Sequence, residues 1–159
     1  MAAEGIPENG EREGSAGVDR EGAYALLQRG QALLRSRHHA QAAIVLERAA
    51  RQEPGRGSIL EALGRAYHNG GRYEPARATF EALLEVDPSG HWAHYALSQS
   101  LRKLGRPDEA LTHLRIAVAL DPRSELYRKA LDRVGREAGV TRPDDRRSAA
   151  RPAGGAPED

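Results

Sequence analysis

The sequence predicts an all-α chain built from stacked helical hairpins, and two observations carry that prediction. Pro54, Pro88 and Pro122 are spaced by 34 residues, as are Ala42, Ala76 and Ala110, and as are Leu46, Phe80 and Leu114. Gly30 with Gly64, and Gly71 with Gly105, keep the same step. Within each period the large apolar residues recur at helical spacing, so that each segment has one apolar face. A period of this length, held jointly by apolar, small and turn residues, marks supersecondary units that bury their faces on one another.

The units run over residues 23–56, 57–90 and 91–124. In the first, Leu26, Gly30 and Leu33 mark one helix, Ala42, Leu46 and Ala49 a second, and Pro54 the end. The second unit is the clearest. Leu60, Leu63, Gly64 and Tyr67 fall at i, i+3, i+4 and i+7, and Ala76, Phe80 and Leu83 form a second stripe. Between them Asn69-Gly70-Gly71-Arg72 reads as a turn, because glycine reaches positive φ at little steric cost. Asp87-Pro88 is expected to start the next helix, with Asp as cap and Pro in the first turn. Small residues at Gly64 and Ala76 should let the two helices approach closely while Tyr67 and Phe80 fill the surrounding space. The third unit repeats the scheme with Leu97, Ser98, Leu101, Gly105, Ala110, Leu114, Ala117 and Pro122. After it, residues 125–138 read as one more amphipathic helix, which would cover the apolar face of the last hairpin.

The pattern Leu60-x2-Leu63-Gly64-x2-Tyr67, followed by Ala76-x3-Phe80 and Pro88, resembles the tetratricopeptide repeat. Three units agree in period and residue type. The resemblance implies a right-handed α-solenoid of about seven helices, a small bacterial type with three repeats and a capping helix. Arg29, His39 and His94 depart from the repeat pattern at places where a large hydrophobe or aromatic is usual.

Composition narrows the function. Residues 1–22 hold six acids and two arginines, a net −4, and residues 139–159 have Val140 as their one sizeable hydrophobe. Neither can bury enough apolar surface to offset its ordering entropy, so both are expected to be disordered tails. The body between them, residues 23–138, carries 18 bases against 13 acids. There is no cysteine, which removes disulfides and thiolate chemistry and suits a reducing compartment. The first residues lack a basic and apolar leader pattern, and no run approaches a membrane span, so the cytoplasm is the expected location. Arginine outnumbers lysine 22 to 2, the signature of a GC-rich bacterial genome.

No catalytic constellation is found: there is no nucleophile elbow, phosphate-binding glycine loop or acid pair. His38-His39 and His91-x2-His94 lack the partners a metal needs, and His94 is expected in the core. No metal or cofactor is therefore expected.

What remains is binding. On the first helix of each unit, the second, fifth, ninth, twelfth and thirteenth residues point away from the hairpin core. In proteins similar to this one they line a concave groove that holds a partner's peptide or helix. Here they are Tyr24, Leu27, Gln31, Leu34 and Arg35; then Ser58, Glu61, Arg65, His68 and Asn69; then Trp92, Tyr95, Gln99, Arg102 and Lys103. Amides suit peptide groups, aromatics supply area, and arginine pairs with carboxylates, so a protein partner bearing acidic groups is expected. The two-carboxylate clamp of the family's chaperone-tail binders would fall on Leu27, Gln31, Ala62, Trp92 and Ala96, which cannot form it. The runner-up reading is an RNA-binding helical-repeat protein, motivated by the basic body. An acidic N-terminal tail and a whole-chain charge of +1 weigh against nucleic acid. No membrane partner is expected, and self-association is left open.

A fragment of residues 20–140 should keep the helical signal and melting temperature of the full chain, measured by circular dichroism. A lower melting temperature would mean that a tail packs onto the repeats.

Overall fold

The computed structural model describes residues 21–139. Seven helices follow one another: α1 (Ala23–Arg35), α2 (His39–Gln52), α3 (Gly57–Asn69), α4 (Tyr73–Val86), α5 (His91–Lys103), α6 (Pro107–Leu120) and α7 (Glu125–Glu137). No strand occurs among the described residues. The tails expected to be disordered lie outside the described residues, apart from Glu21, Gly22 and Gly139. Each helix packs on the next in sequence, so the chain is a right-handed α-solenoid of antiparallel hairpins.

Two kinds of turn set the hairpins. Inside each hairpin the first helix closes with a hydrogen bond to the carbonyl five residues back: His38 N–H to Leu33, Arg72 N–H to Tyr67, and Arg106 N–H to Leu101. This closure needs one left-handed residue. Gly71 (φ 76°) and Gly105 (φ 73°) supply it in two hairpins, and Arg37 (φ 61°) occupies the same place in the first. Between hairpins the sequence reading requires correction. Asp87-Pro88 does not start α5, which begins at His91 with Gly90 at its N-cap. The pair stops α4: a residue before proline is driven out of the helical region, and Asp87 sits at φ −136°, ψ 89°. Asp87 Oδ1 then accepts from the Ser89 N–H and Oγ–H at 3.0 and 2.7 Å, which folds the turn back. Asp121 before Pro122 repeats the conformation at φ −134°, ψ 83°.

Close approach of paired helices is built at the eighth residue of each hairpin. A Cβ placed on Gly64 would lie within 2.8 Å of three ring carbons of Phe80, and one on Gly30 within 3.0 Å of three Leu46 carbons. In the third hairpin Ser98 takes this place, fully buried, with its hydroxyl turned back to donate to the Tyr95 carbonyl at 2.6 Å. The core also uses a stripe the sequence reading passed over. Ile59, Ala62 and Ala66 on α3, and Ala93, Ala96 and Ser100 on α5, are buried as well. A middle helix thus has two covered faces, one toward its own hairpin and one toward the hairpin before it. In α7 the equivalent residues Tyr127, Ala130 and Val134 are buried, while Arg128, on the side a further helix would cover, is exposed.

Leu27 is corrected too. It was expected on the groove side, but it is 4% exposed within the core cluster. His94 is buried as expected, and its ring is fully engaged. Nε2 lies 3.1 Å from the Pro88 carbonyl and Nδ1 3.0 Å from His113 Nδ1. A carbonyl only accepts, so in neutral His94 the proton is on Nε2 and the bare Nδ1 accepts from His113.

Phe80→Ala should cost about 3–5 kcal/mol, because the ring fills the Gly64 contact and supports Trp92 beyond it. Leu46→Ala should cost less, since its hairpin has a described neighbour on one side only. Urea unfolding of both variants tests this, and equal losses would show that the first hairpin is enclosed as fully as the second. Arg37→Gly should raise stability by roughly 0.5–1 kcal/mol by relieving the left-handed residue, and a loss in the same assay would contradict the strain.

Candidate partner-binding groove

The helices divide into two ranks. α1 touches α3 and α3 touches α5, whereas α2, α4 and α6 make no comparable contacts with one another. Helices crowded on one side and spread on the other define a curve, with α1, α3 and α5 on its inside. The residues expected to bind a partner lie on these three helices.

The structure brings the first half of them together. Gln31, Leu34, Arg35, Ser58, Glu61, Ala62, Arg65 and Asn69 line one open depression of about 370 Å³ between α1 and α3. Its charges partly compensate, since Arg65 Nη1 lies 3.8 Å from Glu61 Oε1 on the same helix face. Arg35 is exposed and pairs with no carboxylate among the described residues. Tyr24, at the outer end of α1, is 63% exposed.

The second half is arranged differently from the sequence expectation. Trp92 is half-buried and meets Phe80 edge-on, with ring centroids 5.8 Å apart, so one side of the indole belongs to the α4–α5 contact. Tyr95 is half-buried against Tyr127 of α7 at 5.2 Å. Tyr127 OH in turn is 2.8 Å from His91 Nδ1. Both aromatics are therefore held from behind, which lowers the entropy lost when their free edges are covered. Gln99 is half-buried, and its Nε2 donates to Ser98 Oγ at 3.3 Å. Arg102 Nη1 donates to Glu137 Oε1 of α7 at 3.3 Å, and Lys103 is exposed. Sequence reasoning missed Tyr127 and Glu137 because both lie on the helix taken only as an end.

His68 joins the two halves. Its Nδ1 is 3.0 Å from Ser100 Oγ across the α3–α5 contact, and its ring meets Tyr73 edge-on at 5.4 Å. Burial, and then the charges of Lys103 and Arg102, hold its pKa below the ordinary 6.5. His113 is also lowered, by burial and then by His94, against the opposing pull of Glu81 and Glu109. Among the described residues no group of three or more His, Cys, Asp or Glu side chains could hold a metal ion. No helix among them is long and apolar enough to cross a membrane.

An all-helical array with one crowded, residue-rich inner rank defines a helical-repeat protein. The tetratricopeptide repeat model matches residues 27–91 and 70–125, and the chain belongs to that family. Superkiller complex protein 3 of Mus musculus is 30% identical over 112 residues, which are 70% of this chain and 7% of that protein. The human protein of the same name is 29% identical over 112 residues. The chain thus spans a small fraction of the length of these curated relatives. Among solved structures, MamA from Desulfovibrio magneticus RS-1 superposes with a TM-score of 0.73 at 21% identity, over 83% of this chain and 72% of that one. The first repeat domain of Spaghetti (RPAP3), bound to the HSP90 peptide SRMEEVD, gives 0.70 at 14% identity, over 74% and 93%. The Sgt2 repeat domain from Aspergillus fumigatus gives 0.69 at 19%, over 86% and 89%.

Because His68 and His113 resist protonation when folded, the unfolded chain takes up protons first as pH falls. Their contribution is present above about pH 6.5 and is lost on acidification through the lower folded values. Melting temperature should be flat above neutrality and fall as pH drops below about 6.5, and the double variant His68→Gln, His113→Gln should flatten that fall. An unchanged slope in the variant would place the acid sensitivity elsewhere.

Proposed function

We propose that this protein is a non-enzymatic interaction module that receives a peptide or helix of a partner protein along the inner rank of α1, α3 and α5. Three hairpins, 23–56, 57–90 and 91–124, form the array, and residues 125–138 close it. The observation that carries the reading is the composition of that rank. Gln31, Arg35, Glu61, Arg65, His68, Asn69, Trp92, Tyr95, Gln99, Arg102 and Lys103 offer amides, cations and pre-held aromatic edges on α1, α3 and α5. Membership of the family supports the reading, as does the peptide bound to the similar RPAP3 domain.

The partner is expected to carry acidic groups beside an apolar anchor. It is not read through the family's two-carboxylate clamp. Leu27, Ala62 and Ala96 are buried and apolar at three of the clamp positions, and Trp92 is half-buried against Phe80. Recognition then rests on this chain's own cations, which differ in freedom: Arg35 and Lys103 are open, while Arg65 and Arg102 have internal carboxylates near them.

Quantitative affinity capture from the native source, with wild type, Arg65→Glu and Arg115→Glu compared, tests the groove. Arg65→Glu should weaken the captured partners roughly fivefold or more, since it reverses a groove charge and sets two acids one helical turn apart. Arg115→Glu, on the exposed outer side of α6, should leave them unchanged. Equal capture by both variants would assign binding to the outer face or the turns.

A further inference from the structure

We propose that the inner rank is polarised across its width, with an apolar rim where its helices start and a cationic rim where they end, and that it takes an amphipathic helix of a partner protein, apolar face on the first rim and acidic face on the second. The proposal rests on the groove reading above and gives that groove a ligand shape and an orientation.

The rims follow from the alignment of the inner helices. α1, α3, α5 and α7 start at residues 23, 57, 91 and 125, one repeat step apart, and each is separated from the next by one antiparallel helix. They therefore run in the same direction. Contacts between them join like heights: His91 at the start of α5 meets Tyr127 near the start of α7, while Arg102 near the end of α5 meets Glu137 at the end of α7. His68, late in α3, likewise reaches Ser100, late in α5. Residues at one helix position thus form a row across the array. The second position gives Tyr24, Ser58, Trp92 and Leu126, and the thirteenth gives Arg35, Asn69, Lys103 and Glu137. Eleven residues make three turns and about 20°, so both rows lie on one face of each helix, about 16 Å apart.

The two rows differ in chemistry. In the first, large apolar residues hold three of the four places: Tyr24 is 63% and Leu126 51% exposed, and Trp92 is half-buried. In the second, Arg35 and Lys103 are exposed, as is Arg136 beside Glu137, and Glu137 itself is paired with Arg102. Cations at a helix end ordinarily offset the helix dipole. That demand is small at this rim, because α1, α3 and α5 each end within a few residues of the start of the next helix, which brings the opposite partial charge. Of the acids at the starts of α4 and α6, Glu74 and Glu109 are paired with Arg77 and Arg106, which leaves Asp108 against Arg35, Lys103 and Arg136. The rim keeps a positive excess that complements an acidic ligand face. An α-helix with its side chains is about 10–12 Å across, so one helix lying over the rank meets both rims at once. It satisfies its own backbone groups and asks little of the middle of the rank, where Arg65 and Glu61 stand 3.8 Å apart.

The probe is a hydrocarbon-stapled helical peptide of about four turns, with leucines along one face and glutamates along the other, added to the isotopically labelled full chain and followed by NMR. One control has the same composition shuffled so that neither residue gathers on a face. The other is the unstapled sequence with two internal prolines, which cannot be helical. The amphipathic peptide should bind saturably and about tenfold or more tighter than either control. A nitroxide on its leucine face should broaden Tyr24 and Leu126 more than Arg35 and Lys103, and one on its glutamate face should do the reverse. Tyr24→Ala and Arg35→Gln, both at exposed residues, should each weaken binding about two- to fivefold. Equal binding of the shuffled peptide, identical broadening by the two labels, or unchanged affinity of both variants would overturn the two rims. Tighter binding of the proline peptide would overturn the helical ligand. In each of these results the groove reading survives. Shifts confined to α2, α4 and α6 would overturn this proposal and the groove reading together. Absence of saturable binding by all three peptides would overturn this proposal alone, and the groove would still be judged by the Arg65→Glu capture.

Discussion

Everything in this array depends on how closely the two helices of a hairpin approach at one point. At that point a residue with no side chain faces a large apolar residue sixteen positions later, Gly30 against Leu46 and Gly64 against Phe80, and Ser98 holds the equivalent place in the third hairpin. The contact fixes the distance between paired helices and so the depth of each hairpin. It also sets how far the next hairpin must reach to cover the exposed side. Where Phe80 fills the contact its ring extends to Trp92 on α5, so one residue serves both the hairpin and the junction to the next. A change at this point therefore propagates along the array, because the groove consists of helices placed by successive contacts of this kind.

The hairpins use different means at that contact. Ser98 has a Cβ and a hydroxyl where its counterparts have neither, and the residue sixteen positions later is the buried Leu114 and not an aromatic. The hydroxyl is satisfied within its own helix by the Tyr95 carbonyl, which makes serine tolerable in a buried place. The second hairpin is thus held by aromatic packing, and the third by aliphatic packing with a hydrogen-bonded histidine pair beside it. His94 stands where a large hydrophobe is usual. It is accommodated because the Pro88 carbonyl and His113 take up both ring nitrogens, so no buried polar atom is left bare.

Periodicity made the hairpins legible. A 34-residue step in Pro, Ala, Gly and Leu or Phe is enough to place the six helices of the hairpins, since each of those residues is constrained by a turn or a close contact, whereas α7 was legible only from its own amphipathic pattern. The stripe Ile59, Ala62 and Ala66 was harder to see, because alanine is common on any helix and gives little contrast between covered and open faces. Asp87-Pro88 was misplaced for a related reason. The pair is compatible with both ends of a helix, and only the backbone geometry shows that it closes α4. On α1, α3 and α5, helical geometry did not give the pairing state of each charge. Whether Arg102 is open or held depends on Glu137, 35 residues away, and no local pattern reports that.

The junction of α3, α5 and α7 differs in kind from that of α1 and α3. Between α1 and α3 the groove is an open depression with loosely opposed charges. Around α5, by contrast, each inward neighbour is joined by a polar link: His68 to Ser100, His91 to Tyr127, and Arg102 to Glu137. Polar links of this type contribute little net stability, since each replaces bonds to water, but they fix orientation sharply because a misaligned partner leaves a buried group unsatisfied. The first half of the groove consequently has fewer links between its helices. In the second half Tyr95 is backed by Tyr127, whereas Arg102 is held only by one exposed 3.3 Å link to Glu137.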